Sequence, residues 1–143
     1  MKKQLSEEQI HSLIDQAIGM LQYSYMPYSH FAVGAALLAK NGKVYTGCNI
    51  ENAALTPTNC AERTAFFKAV SEGVKEFDAI AIVGGKNRKA EEFCTPCGVC
   101  RQVMMEWCNP DDFQIITGKA DGEYQIHTLR QYLPDGFGPT DLQ

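Results

Sequence analysis

The segment 94-CTPCGVC-100 places a cysteine at every third position, at Cys94, Cys97 and Cys100. Cysteines at this spacing are typical of structural zinc sites, of iron–sulfur sites and of one half of a catalytic zinc site. Two of the three are enough for any of these, because the remaining ligands can come from elsewhere in the chain. The segment therefore indicates a metal site and leaves open which two cysteines belong to it.

The composition around this segment is that of an ordinary globular protein. The chain has 143 residues, 45% of them hydrophobic and 21% charged, with a formal net charge of −4. This length suits one domain, residues 1–143, with a core of its own. The acidic balance argues against a protein that grips nucleic acid backbones through Lys and Arg. Because no signal-peptide pattern and no membrane-spanning apolar run is present, we predict a cytoplasmic protein with no membrane partner.

The predicted compartment indicates the chemical state of the six cysteines. In a reducing environment they are predicted to be metal ligands or buried thiols, and a disulfide framework is the alternative.

The order of secondary-structure patterns predicts an α/β fold: a mixed five-stranded sheet in three layers, with helices on both faces. Helices are predicted over 6–22, 60–72 and 97–107 and a helical turn over 129–133; strands are predicted over 31–39, 43–49, 77–84, 113–118 and 123–128, with hairpin turns at 41–42 and 121–122.

Cys60 is the best candidate for a third metal ligand. Cys97 and Cys100 are three residues apart at a predicted helix start, so both thiols can face one point. Cys60 also stands at a helix N-terminus, and a catalytic zinc takes three protein ligands and one water. Two helix N-termini bring partial positive charge that offsets three thiolates. Arg63, one turn along from Cys60, can add to this by hydrogen-bonding a thiolate.

Glu62 lies two residues after Cys60, a spacing that a structural zinc site does not require. A carboxylate that points into an open zinc site can take a proton from the bound water and deliver it to a substrate. A first ligand, a Glu two residues later and a downstream P-C-x-x-C form the zinc deaminase signature. Here the signature reads 60-CAE-62 and 96-PCGVC-100, which predicts a catalytic site.

With these motifs the chain resembles the cytidine deaminases of the small, homotetrameric, three-cysteine type. The CAE and PCxxC motifs alone specify only the superfamily, whereas the CNIENAA block points to cytidine deaminase itself. The resemblance covers nearly the whole chain and implies the three-layer cytidine-deaminase-like fold. The segments that carry it are 27-PYSHFAVGAALL-38, 47-GCNIENAA-54, 59-NCAERTAFFKA-69, 96-PCGVCRQV-103 and 136-GFGPTDL-142.

The resemblance implies one reaction and one cofactor. The reaction is the hydrolytic deamination of cytidine and deoxycytidine to uridine and deoxyuridine, with release of ammonia. One Zn²⁺ per chain would be held by Cys60, Cys97 and Cys100. A zinc-bound hydroxide would attack C4 of cytosine while Glu62 shuttles protons, and Arg63 would pair with the zinc-bound thiolates.

The resemblance also implies the residues that bind the nucleoside substrate. Asn49 and Glu51 would hold the ribose 3′-hydroxyl, and Phe31 would pack on the pyrimidine face. Ala61 would offer backbone groups to the base. A carboxylate at position 51 accepts a hydroxyl hydrogen bond and repels a phosphate, which favours a nucleoside over a nucleotide. The ribose 2′ position has no dedicated residue, so both sugars are expected to be accepted.

Two further residues, Ala53 and Phe137, are implied to reach a neighbouring subunit's site, so each pocket of the homotetramer would need more than one chain.

Three features of the sequence depart from the family pattern. Leu55 stands where many relatives carry Tyr near the 5′ end of the sugar, 56-TPT-58 is unusual, and the charged loop over 84–96 is longer than usual.

Two other functions stay open. One is a deaminase of another aminopyrimidine nucleoside, such as blasticidin S; that family resembles this chain around the metal but lacks the NIENAA block. The other is a noncatalytic zinc or iron–sulfur module. A fourth ligand at Cys94 would favour the module, because it would close the metal site and leave no position for water.

Overall fold

The computed structural model describes residues 3–143 and shows a five-stranded sheet with helices on both faces. Met1 and Lys2, which the predicted domain includes, lie outside the described residues. The strands are β1 (Phe31–Ala39), β2 (Val44–Cys48), β3 (Phe77–Lys86), β4 (Gln114–Gly118) and β5 (Tyr124–Thr128). The helices are α1 (Glu7–Gly19), α2 (Ala61–Ser71), α3 (Gly98–Trp107) and α4 (Leu129–Tyr132), with 3₁₀ turns at Met20–Tyr23 and Pro139–Leu142.

The strands are arranged in the order β2-β1-β3-β4-β5. Strands β3 and β4 pair in parallel, and the other neighbouring strands pair antiparallel. Both predicted hairpins are present, and their glycines Gly42 and Gly122 have positive φ angles of 91° and 94°, which glycine adopts without strain. The parallel pair requires a crossover, which contains α3. The predicted mixed α/β sheet is therefore confirmed.

The two faces of the sheet carry different helices. Alternate residues of a strand point to opposite faces, and β1 shows this directly. Ala36 and Leu38 pack in a core with residues of α1, whereas Ala35 and Leu37 pack in a second core with residues of α2 and α3. The result is the predicted three-layer arrangement, with α2 and α3 side by side on one face.

The position of α2 is set by a close approach to β2. A Cβ atom at Gly47 would lie 2.4 Å from the carbonyl oxygen of Ala61 and 2.7 Å from the backbone nitrogen of Ala65. The helix backbone therefore lies directly on the strand, which only glycine permits here. This contact fixes the N-terminus of α2, and with it Cys60 and Glu62.

Several boundaries differ from the predicted ones. The α-helical part of α1 ends at Gly19, and residues Met20–Tyr23 continue as a 3₁₀ turn. Strand β3 runs on to Lys86 because residues 31–33 of β1 pair with its last three residues. The 3₁₀ turn at Pro139–Leu142 was not predicted. No helix within residues 3–143 has the length and apolar character needed to cross a bilayer.

Candidate active site

Three thiols converge where the N-termini of α2 and α3 meet. The Sγ atoms of Cys60, Cys97 and Cys100 all lie within 4.8 Å of one another, and those of Cys60 and Cys97 are 3.7 Å apart. Cys60 is the N-cap of α2 and Cys97 is the N-cap of α3. A tetrahedral zinc with Zn–S bonds of about 2.3 Å places its sulfurs about 3.8 Å apart. The three thiols therefore fit a zinc ion.

Cys94 does not belong to this cluster. Among the described residues, the group of potential ligands within mutual reach consists of the three cysteines alone. The Cys94 thiol instead packs at the core beside β3, 3.0 Å from the position of a Cβ at Gly84. Three cysteine ligands would leave the fourth position of a tetrahedral zinc ion to water. A site closed by Cys94 is not supported.

Hydrogen-bond donors surround the thiols. Arg63 Nη2 donates to Cys60 Sγ over 3.1 Å, and the backbone N–H of Cys100 lies 3.5 Å from Cys97 Sγ. A hydrogen bond from the Cys100 thiol, with further ones from Arg63 and Cys97, lowers the pKa of Cys60 to about 5 in the metal-free protein. The same shared proton, together with burial, raises the pKa of Cys100. The metal-free site therefore favours thiolate at Cys60 and keeps a proton on Cys100, which metal binding would have to release.

Glu62 is buried beside these thiols. Its side chain is on the first turn of α2 and the residue is 4% exposed. Burial raises the pKa of its carboxyl group to about 7, and the neighbouring Cys60 thiolate adds to the effect. A carboxyl group that titrates near neutral pH can both accept and release a proton under physiological conditions. The structure therefore places a titratable carboxyl group at Glu62 beside the thiols, and its role as proton shuttle stays a prediction.

Asn49, just after β2, is buried and largely occupied by bonds within the chain. Its Oδ1 accepts a hydrogen bond from the N–H of Val33 over 2.9 Å and another from the Ser24 hydroxyl. Its Nδ2 donates to the carbonyl of Phe31 over 2.8 Å. An amide nitrogen carries two hydrogens, so one N–H remains for a ligand. Asn49 can thus offer a sugar hydroxyl a donor.

Glu51, two residues after Asn49, is anchored to the segment that precedes β1. Its Oε1 accepts hydrogen bonds from the backbone N–H groups of Tyr28, at 2.9 Å, and Ser29, at 3.2 Å, and its Oε2 accepts one from the Ser29 hydroxyl. The bond from the Ser29 hydroxyl is the main reason that the pKa of Glu51 lies below its usual value. The carboxylate borders a cleft that Leu55 and Thr58 also line. Leu55 therefore faces the same space as Glu51.

The other predicted substrate residues lie at separate places. Phe31, 36% exposed, lines a cleft with Gly84 and Phe93, and Ala61 is buried at the start of α2. Ala53 is exposed in the turn before α2, and Phe137, 56% exposed, follows α4. A cleft of about 580 Å³ between the end of α3 and the tail is lined by none of the predicted site residues. Their grouping around one substrate stays a prediction.

The sequence analysis missed residues that support the site. Ser24 holds Asn49 from 25 positions away, and no local pattern indicates such a contact. Arg101 Nε donates to the carbonyl of Pro96 over 2.7 Å, and Gln102 Nε2 donates to that of Phe137 over 2.8 Å. The sequence signal that could have indicated them is their position directly after the metal-ligand candidate Cys100.

Comparison with known proteins identifies the family. The model of the cytidine and deoxycytidylate deaminase zinc-binding region matches residues 7–116. The chain belongs to this family. The predicted resemblance and the predicted enzyme class, zinc-dependent deaminase, are confirmed, and a noncatalytic module is set aside.

Close relatives extend over most of this deaminase chain. A cytidine deaminase from Sporosarcina psychrophila is 46% identical over 133 residues, which is 93% of this chain and 94% of the relative. One from Halalkalibacterium halodurans is 48% identical over 130 residues, or 91% and 95% of the two chains. The crystal structure of cytidine deaminase from Burkholderia pseudomallei superposes with a TM-score of 0.81 at 43% identity, covering 89% of this chain and 98% of that one. The predicted fold is confirmed.

Proposed function

We propose that this enzyme converts cytidine and deoxycytidine to uridine and deoxyuridine by hydrolysis, with release of ammonia. The observation that carries the proposal is the buried Glu62 carboxyl group beside three convergent thiols. A structural zinc site has no need of such a group. Burying a carboxyl group costs free energy, and a catalytic role explains why the protein tolerates that cost. Relatives that carry the name cytidine deaminase support the choice of substrate.

The chemistry divides between the metal and the protein. Cys60, Cys97 and Cys100 would hold one zinc ion per chain, which when bound makes water acidic enough to serve as the nucleophile at C4 of cytosine. Glu62 accepts the proton that the water loses and gives it to N3 of the base. It then takes the proton of the hydroxyl now on C4 and transfers it to the exocyclic nitrogen, which leaves as ammonia while C4 becomes the carbonyl carbon of uracil. Arg63 donates to Cys60 Sγ and limits the negative charge that three thiolates place on the site.

The loop residues supply recognition of the sugar. The free N–H of Asn49 donates to the 3′-hydroxyl oxygen, and the Glu51 carboxylate accepts the hydrogen of the same hydroxyl. A phosphate at this position would meet the Glu51 charge, so nucleosides are preferred over nucleotides. Phe31 packs against the pyrimidine face, and Ala61 offers its backbone to the base. Neither sugar is rejected, because no side chain is assigned to the 2′ position.

The remaining predictions concern the whole protein. We infer a homotetramer in the cytoplasm, built from one domain of residues 1–143 per subunit, in which Ala53 and Phe137 of one chain complete a neighbour's site. Phe137 is 56% exposed, so its ring is accessible to a neighbouring subunit.

An ultraviolet assay with purified protein tests the substrate. Cytidine and deoxycytidine should be deaminated, whereas free cytosine, which has no sugar, and CMP, whose phosphate is repelled by the Glu51 carboxylate, should react much more slowly. Activity on blasticidin S without activity on cytidine would instead favour the other nucleoside deaminase. Metal analysis should give one zinc per chain in a colourless protein, and bound iron with visible absorption would contradict the proposed cofactor.

A further inference from the structure

The turn that carries Cys97 is packed on either side of this residue but not at the residue itself. Thr95, Cys97, Gly98 and Val99 are exposed, whereas Pro96 and Cys100 are buried. A Cβ atom at Gly98 would meet no atom within 4 Å. Packing therefore holds Pro96 and Cys100, and the direction of the exposed Cys97 side chain depends on the two peptides that flank it. The Sγ of Cys97 lies 3.7 Å from that of Cys60, so an interaction that orients these peptides matters for the site.

Arg101 makes that interaction. Long side chains on a helix point back towards its N-terminus, and the Arg101 guanidinium lies beside the peptide that joins Pro96 to Cys97. Its Nε donates to the Pro96 carbonyl over 2.7 Å. The backbone N–H of Arg101 donates to the carbonyl of Cys97 itself over 3.0 Å. The two carbonyls that flank the Cα of Cys97 are thus both bound by one residue, which restrains the direction of the Cα–Cβ bond.

The guanidinium is in turn anchored to α4, on a different part of the chain. Its Nη1 donates to the carbonyl of Tyr132 over 2.7 Å, and its Cζ lies 4.9 Å from the centre of the Tyr132 ring. The hydroxyl of Tyr132 lies 3.2 Å from Nδ1 of His127, on β5. The planar guanidinium can reach two carbonyls in fixed directions because its donors form a rigid fork, which a lysine ammonium does not provide.

We infer that Arg101 is a positioning residue for the metal site: it holds the Pro96–Cys97 peptide so that the Cys97 thiol stays in ligand geometry with Cys60. The inference rests on the proposed zinc site. Arg101 touches neither the thiols nor the substrate in this arrangement; it acts through the backbone of the ligand turn. Its loss should therefore weaken metal binding by about ten- to a hundredfold, the usual effect of removing a residue that orients a ligand.

The test compares two variants, Arg101→Met and Arg101→Lys, with the unchanged protein and a control. The methionine keeps an unbranched stem against the Tyr132 ring and removes the side-chain donors, while the backbone N–H bond to Cys97 stays; the lysine keeps the charge without the fork. Arg130→Met is the control, since Arg130 is a partly exposed arginine on α4 whose guanidinium bonds Asp111 at 2.9 and 3.1 Å. Zinc affinity is measured on folded protein by competition with a chromophoric chelator, and cobalt-substituted protein gives the thiolate–cobalt absorption.

The expected result is a ten- to hundredfold loss of zinc affinity and altered thiolate–cobalt bands in Arg101→Met, with Arg130→Met unchanged. Zinc affinity within twofold of the unchanged protein, with an identical cobalt spectrum, would overturn the inference. If Arg101→Met does not fold, the same criterion applies to Arg101→Lys. Failure of the unchanged protein to bind zinc would instead contradict the proposed function, so the two failures are distinguishable.

Discussion

Glu62 combines an acidic side chain with nearly complete burial beside the thiols, and this makes its role directly testable. Glu62→Gln preserves the size and burial of the side chain but removes its ability to carry a proton. We expect the variant to bind zinc normally and to lose about 10²- to 10⁴-fold in turnover, the usual contribution of a general acid–base group. The measurement is kcat on cytidine together with zinc content. Glu72→Gln, at the exposed C-terminal end of α2, should behave as the unchanged enzyme, and near-normal turnover in Glu62→Gln would remove the proposed shuttle.

The pKa of Glu62 also predicts how the stability of the metal-free protein depends on pH. Burial raises the pKa to about 7 from the ordinary value of 4.5, so the folded state binds this proton more tightly than the unfolded chain does. The resulting stabilisation is fully present below pH 4.5 and is lost as the pH rises through 7; the difference between the two pKa values corresponds to about 3 kcal/mol.

Urea unfolding of metal-free, reduced protein measures this effect. Relative to Glu62→Gln, the free energy of unfolding of the unchanged protein should fall by about 3 kcal/mol between about pH 4 and about pH 8. The thiols near the site titrate in both proteins, so the comparison cancels most of their contribution. Parallel pH profiles for the two proteins would mean that the carboxyl group is hydrated in solution.

At this scale the sequence predicted the residues whose chemistry depends on local spacing. Cys60, Glu62, Cys97 and Cys100 stand at fixed offsets from helix starts. The spacing of three residues brings Cys97 and Cys100 together, whereas Cys60 joins them only because the fold places the two helix N-termini side by side. The hydrogen bonds of Asn49 were not predictable, because its partners come from distant segments that only the tertiary fold brings together.

Among the elements, the contact between α2 and β2 gives the clearest prediction. Gly47→Ala would place a methyl group 2.4 Å from the Ala61 carbonyl oxygen, so the helix must move away from the strand. We expect a loss of about 1–3 kcal/mol in stability, the range for overpacking, and weaker zinc binding, because Cys60 moves with α2. Urea unfolding and the chelator competition measure the two effects.

Gly19→Ala is the matched control for this substitution. Gly19 has right-handed helical angles, and a Cβ there would meet no atom within 4 Å. The change should leave zinc affinity unaltered and stabilise the protein by up to about 1 kcal/mol, since alanine restricts the unfolded chain. Equal stability losses at the two glycines would show that the strand–helix contact is not tight.

The predictions of helices and strands succeeded where the sequence pattern is local. They failed where the element depends on pairing between strands that are distant in the sequence. Both hairpins followed from Asn-Gly and Asp-Gly turns, and the helices from their apolar periodicity. The end of β3 was predicted at position 84, two residues too early, because the charged segment that begins at Gly85 resembles a loop. In the fold, residues 84–86 pair with β1, and a Cβ at Gly85 would lie 1.9 Å from the Lys89 carbonyl oxygen. Glycine is needed there for close approach within a strand.

For the whole molecule, the proposed sharing of sites predicts complementation between two defective variants. Glu62→Gln lacks the proton shuttle, and Phe137→Ala lacks the ring proposed to reach a neighbour. Co-refolded together, they should form mixed assemblies in which an intact Glu62 of one chain meets an intact Phe137 of another. Activity above the sum of the separately refolded variants is expected. Purely additive activity would place Phe137 in its own chain's site or outside any site.

The distance along the chain between the cysteines has a consequence for biosynthesis. Cys60 and Cys97 are 37 positions apart, and the intervening segment contains α2 and all of β3. At a translation rate of about 5–20 residues per second, Cys97 leaves the ribosome roughly 2–7 s after Cys60. During that interval the nascent chain offers a single thiol of the trio, which cannot retain an ion. Metal capture therefore has to wait until α2 and β3 have been synthesised, and the affinity of the ion becomes part of the folding free energy.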